Sequence, residues 1–190
     1  MPAYVVDVRI RELGNRVPTN TTSVFGVPVP SADPVFIAVV RFHILVGIAC
    51  VAAGAMAMFS RKGRGRHSTF GTAYFWCLVV VVGTAMGLSA VRWIDNYHLF
   101  ILGALSLLAA TFARTALRQR WRNCVRLHIT GMGFSYILML TAFYVDNGKN
   151  LPLWKELPQI AFWLLPVGLG MPILIRALMN HPLARQERFG

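Results

Sequence analysis

Four histidines stand close to the starts of four apolar stretches, and imidazole is a common transition-metal ligand. His43 lies in the first stretch, while His67, His98 and His128 open the second, third and fourth. Arg61 follows His43 by 18 residues and Arg114 follows His98 by 16. At helical rise those two histidines sit roughly 27 and 24 Å from the arginines. His67 follows Arg66 directly, and His128 follows Arg126 by two. The spacing sorts the four into two levels, His43 with His98 and His67 with His128. Two imidazoles facing each other from different helices are what a six-coordinate b-type haem requires. One nitrogen of each ring takes an axial position on the iron, and the other finds a local acceptor.

Glycine accompanies each histidine on its helix: Gly47 at i+4 from His43, Gly71 at i+4 from His67, Gly103 at i+5 from His98 and Gly131 at i+3 from His128. Glycine lets a flat macrocycle come close to the backbone. Arg41, two residues before His43, is placed to meet a haem propionate. Each feature has a plainer alternative. Small residues also serve close helix packing, His67 at the membrane edge also reads as interfacial, and Arg41 can snorkel to the headgroups. His181 precedes Pro182 in the C-terminal tail and joins neither level.

The elements that must hold these residues are membrane helices. Of 190 residues 56% are apolar and only 14% are charged, yet the formal net charge is +12, with 19 Lys and Arg against 7 Asp and Glu. That balance excludes a disordered chain and a soluble basic nucleic-acid binder; three cysteines exclude a disulfide scaffold. The reading is an all-α integral membrane bundle with five transmembrane helices, a four-helix core plus one. Residues 1–34 form an extracytoplasmic tail, with a short strand expected at Tyr4–Ile10. The transmembrane domain covers 35–180, with spans at about 35–59, 69–91, 97–113, 127–145 and 158–179. Residues 181–190 are a cytoplasmic tail. About 20 apolar residues cross a bilayer, with a range of about 17–25, so the third span is the shortest. Pro166 and Pro172 would loosen the fifth, and Asp146-Asn147-Gly148 reads as the turn that ends the fourth.

The loops separate by charge. One side carries Arg61–Arg66, Arg114–Arg126 and the C-terminal arginines, with a net charge of +11. The other carries Arg9, Arg11, Arg16, Arg41, Arg92, Lys149 and Lys155 against six acids, with a net charge of +1. The positive-inside rule puts the first side in the cytoplasm and the N-terminus outside. The arginine-rich loops also suit anionic lipid headgroups. No Asp, Glu or Lys lies inside the five apolar runs, which argues against a proton pump or cation transporter. No CxxC pair, phosphate loop or Ser-His-Asp order is present.

From His43-Ile-Leu-Val-Gly47 through Arg61–Gly71 and His98–Gly103 to His128-Ile-Thr-Gly131, the chain resembles the four-helix core of the ascorbate-reducible di-haem cytochromes b. That resemblance, over about residues 41–146, implies ligand histidines on alternate helices and electron transfer across a membrane. The chain departs from the cytochrome pattern in a shorter His43–His67 spacing and a shallow His67. The Lys62–Gly71 pattern, and His128 with Ser135-Tyr136-Ile137 followed by Thr141–Gly148, resemble a bacterial family of multi-spanning membrane proteins of unknown function, over about residues 36–180, which implies topology and not an activity. The expected location is a bacterial inner membrane. The expected function is transmembrane electron transfer by a di-haem b-type cytochrome, a transmembrane oxidoreductase with separate electron donor and acceptor and no nucleic-acid partner. His43 and His98 would hold the outer haem b, and His67 and His128 the inner one. The alternative is a haem-free accessory subunit or small-molecule carrier.

Overall fold

The computed structural model describes residues 22–24, 27–29, 34–61, 65–91, 93–151, 154, 156–182 and 184. The strand expected at Tyr4–Ile10 lies outside them. The chain divides into two compact units, 1–40 and 41–190. In the first unit, strands β1 (Thr22–Val24) and β2 (Val27–Val29) pair antiparallel, with Thr22 opposite Val29 and Val24 opposite Val27.

Five helices follow: α1 (Pro34–Phe59), α2 (Arg66–Val91), α3 (Trp93–Arg118), α4 (Cys124–Asn147) and α5 (Gln159–Asn180). Among the described residues, these five are long and apolar enough to cross a membrane. A 26-residue helix such as α1 rises about 39 Å, more than a hydrocarbon core of about 30 Å. Large apolar side chains such as Leu45, Ile48, Trp76, Leu108, Leu164 and Leu169 point outward. In water that outer surface would be an aggregation liability. In a bilayer it is the lipid-facing surface, and each helix satisfies its own backbone groups. The chain is an integral, multi-pass membrane protein.

Contacts within the second unit give the arrangement. On α1 and α2, Ala57 meets His67, Cys50 meets Tyr74 and His43 meets Thr84. On α2 and α3, Gly71 meets Arg114 and Val82 meets Gly103. On α3 and α4, Ala113 meets His128 and Ser106 meets Ser135. In turn α4 reaches α1 through Met139–Cys50 and Tyr136–Val51. In every pair the partner descends as the first helix ascends, so neighbours run antiparallel and α1–α4 close into a ring with α2 and α4 on one diagonal. Helix α5 lies on α4, where Leu174, Ile137 and Phe162 press against Gly133, Gly170 and Gly148.

The centre of the ring is built from Cys50, Ala53, Tyr74, Leu78, Val82, Ala110 and Met139. Polar groups there are paired with one another. The Tyr74 hydroxyl is 2.8 Å from Ser135 Oγ, and Ser106 Oγ donates to the Ser135 carbonyl at 2.9 Å. A close helix approach on the α3–α4 seam falls at Gly131. A Cβ there would stand 2.7 Å from Ala113 Cβ and 2.9 Å from the Ala109 carbonyl, so only glycine allows the two backbones to sit this close.

Three elements differ from the sequence reading. Helix α3 extends well beyond 97–113, because Arg114 lies along the bundle instead of ending the span. Helix α5 continues through Pro166 and Pro172; a lost backbone donor is tolerated where other groups of a packed membrane helix compensate. Asp146 lies in the last turn of α4, inside its 27-residue candidate span, and the chain then turns through a short 3-10 segment, Gly148–Asn150.

Candidate functional site

At the arginine-rich end of the ring, His67 of α2 and His128 of α4 meet across the diagonal. Their ring centroids are 6.4 Å apart and their planes stand at 84°. His67 Nδ1 donates to the Ala57 carbonyl of α1 at 2.9 Å. His128 Nδ1 donates to the Ala113 carbonyl of α3 at 3.4 Å. A carbonyl only accepts, so each Nδ1 carries a proton, and in the neutral form of either ring the lone pair falls on Nε2. Metal-ligating histidines show the same second contact, which fixes the tautomer and the ring direction.

The separation has a direct chemical meaning. An imidazole nitrogen about 2 Å from a metal puts its ring centroid about 3 Å away, so two rings on opposite sides of one ion stand about 6 Å apart. The His67–His128 separation of 6.4 Å is close to that figure, and it is also the separation of an ordinary edge-to-face ring contact. Among the described residues no three His, Cys, Asp or Glu side chains come together to hold a metal ion. A group held by these two histidines alone would have to bring its remaining donors itself, as a macrocycle does.

Room at this level is uneven. A Cβ built on Gly71, one turn beyond His67, meets nothing within 4 Å. Gly131 is different: its space is filled by α3, so it serves the α3–α4 seam. Two turns beyond the histidines, on the same helix faces, stand Tyr74 and Ser135, hydrogen-bonded to each other. They close the ring about 10 Å further in.

The other two histidines lie at the opposite end. His43 Nδ1 and Thr84 Oγ1 are 2.7 Å apart. The Thr84 hydroxyl gives its own proton to the Val80 or Val81 carbonyl, so it accepts from His43, whose lone pair is then on Nε2 as well. His98 packs edge-on against Tyr97 at 5.7 Å and beside Trp163 of α5 at 5.9 Å. Two turns beyond the Cys50–Met139 contact on each helix, Asp146 of α4 stands level with His43 of α1. No ring contact joins His43 to His98 as one joins His67 to His128. Gly47 is open, Gly103 rests at ordinary contact distance from Val82, and Arg41 is exposed. From His43 to Ala57, which marks the inner level on α1, is roughly 21 Å of helix.

Sequence reasoning missed the acceptors Ala57, Ala113 and Thr84, the role of Asp146, and the Tyr74–Ser135–Ser106 cluster. Backbone carbonyls leave no trace in a sequence. Two serines and a tyrosine inside apolar spans do, because buried polar groups in a membrane need partners. The chain matches no known protein family, no curated protein and no solved structure.

Proposed function

We propose that this protein is a b-type haem protein of a membrane, passing electrons from one face to the other. The observation that carries this reading is the close His67–His128 ring pair, 6.4 Å between centroids, with each Nδ1 on a backbone carbonyl. When bound, haem b would supply a one-electron couple at that level.

The chain's own residues account for the rest. Ala57 and Ala113 hold the two imidazoles in the ligating tautomer. Gly71 leaves the face between His67 and Tyr74 open. Tyr74, Ser106 and Ser135 form a satisfied polar floor, and Leu78, Cys50 and Met139 keep water from crossing the centre. The second haem proposed from the sequence would take His43 and His98, roughly 21 Å away along α1. The hydrogen bond to Thr84 favours His43 as a ligand. For His98 to face it, the ring must turn away from Trp163.

Orientation follows from charge. With +11 of the net charge on one side, that side is proposed to face the cytoplasm, with the N-terminus outside, in a bacterial inner membrane. The arginine-rich loops would meet anionic headgroups there. The packed centre between the two levels fills the space a carrier's substrate would need, so the electron-transfer reading is preferred to a haem-free carrier.

The test is a reduced-minus-oxidised spectrum of the chain purified in detergent after expression with haem supply. A b-type spectrum with one or two haems per chain supports the proposal. A colourless protein that folds and elutes as a single species overturns it.

A further inference from the structure

Arg114 is a cation inside the α3 membrane helix. Its Nη1 donates to the Gly71 carbonyl at a long 3.5 Å, and its guanidinium lies 4.4 Å from the centre of the Phe75 ring. Among the described residues no carboxylate pairs with it, and Arg118, one turn further on the same helix, adds a like charge. Arginine within a membrane span is costly and ordinarily meets an anion or reaches the headgroups. Here the side chain does not reach outward. Side chains lean toward the N-terminus of their helix, and α3 has its C-terminus at the arginine-rich end. The lean therefore carries the guanidinium inward, over Phe75, which lies one turn deeper on α2 than Gly71.

Its position ties it to the histidine pair. The preceding residue, Ala113, supplies the carbonyl that holds His128. Gly71, which it touches, follows His67 by one turn and leaves open space beside it. A half-buried guanidinium with one weak carbonyl partner keeps most of its five donors for a planar anion, and a carboxylate is the shape its fork fits.

We infer that Arg114 is the positioning residue for a carboxylate of the ligand seated between His67 and His128, a haem propionate. The inference rests on the haem reading above. A propionate would neutralise Arg114, fix the rotation of the macrocycle about the imidazole axis, and explain why this cation faces inward.

The experiment compares haem with haem dimethyl ester, in which both carboxylates are blocked. The full chain is expressed without added haem, purified in detergent and titrated with each, and binding is followed by the bis-imidazole absorption spectrum. Wild type is expected to prefer free-acid haem on the order of tenfold or more, the range of a charge-assisted hydrogen bond. Arg114→Gln should lose that preference, and Arg114→Lys should keep part of it. Equal binding of haem and ester by wild type overturns the inference while leaving the haem reading intact; it is also the result expected if Arg114 holds a lipid phosphate. A preference unchanged in Arg114→Gln overturns it too. Should wild type bind neither compound, the haem reading falls and this inference falls with it. The wild-type comparison alone decides the matter if Arg114→Gln does not fold.

Discussion

Single atoms decide the candidate site. Its strongest feature, the tautomer of His67 and His128, is set by two carbonyls belonging to alanines. The histidines were legible in the sequence through their distance from the arginines, but the direction of their rings was not. Helices that are apolar nearly all round carry no stripe to say which face turns inward. The glycines divide for a similar reason. Gly131 is required by contact with Ala109 and Ala113, whereas Gly47 touches nothing. Gly131→Ala should therefore destabilise the bundle by about 1–3 kcal/mol through overpacking and loosen the His128–Ala113 bond. Gly47→Ala should leave stability unchanged or raise it by up to about 1 kcal/mol. Unfolding titrations of both variants in detergent check this, and equal behaviour would contradict it. Tyr74→Phe leaves Ser135 Oγ with Ser106 alone and should cost about 0.5–1.5 kcal/mol. That loss should be nearly absent in a Ser135→Ala background, a comparison that a double-mutant cycle makes directly.

Among the elements, the number and order of the helices were plain from length and hydropathy, because nothing but a helix satisfies a backbone in lipid at these lengths. Two things were hidden. Strands of three residues, such as Thr22–Val24 and Val27–Val29, give no periodicity to read. A charge also hides the true end of α3, because Arg114 folds along its neighbour with its head on Phe75 and Gly71. The same elements show how α5 is attached. Phe162, fully buried, sits against Gly148 at one end of the α4–α5 seam, and Leu174 sits against Gly133 nearer the other. Phe162→Ala should cost about 3–5 kcal/mol. Because α5 lies outside the α1–α4 ring, the loss should appear first as local release of α5. Protease cleavage in 151–158 that leaves the His67–His128 spectrum in place would show that order. Simultaneous loss of the spectrum and of α5 would contradict it.

For the whole molecule, a net charge of +12 on a hydrophobic chain is a statement about sidedness. With +11 on one side and +1 on the other, the orientation proposed above should survive removal of any one arginine, because short-loop charges act together. Cysteine labelling from either face of intact vesicles checks it. Cys124, in the arginine-rich half, should react only with reagents that reach the cytoplasm, while a Lys149→Cys variant should react from outside. The reverse pattern would invert the proposed direction of the electron path without touching the site itself.

The inner histidine pair is the central claim, and its geometry supplies its own signature. Imidazole planes at 84° on one ferric ion give a low-spin electron paramagnetic resonance signal of large anisotropy. The oxidised protein, purified with haem, should show that component at low temperature, and His67→Ala or His128→Ala should each remove it while His181→Ala leaves it. Absence of any low-spin haem signal in the folded wild type, or its persistence in both the His67→Ala and His128→Ala variants, would contradict the account.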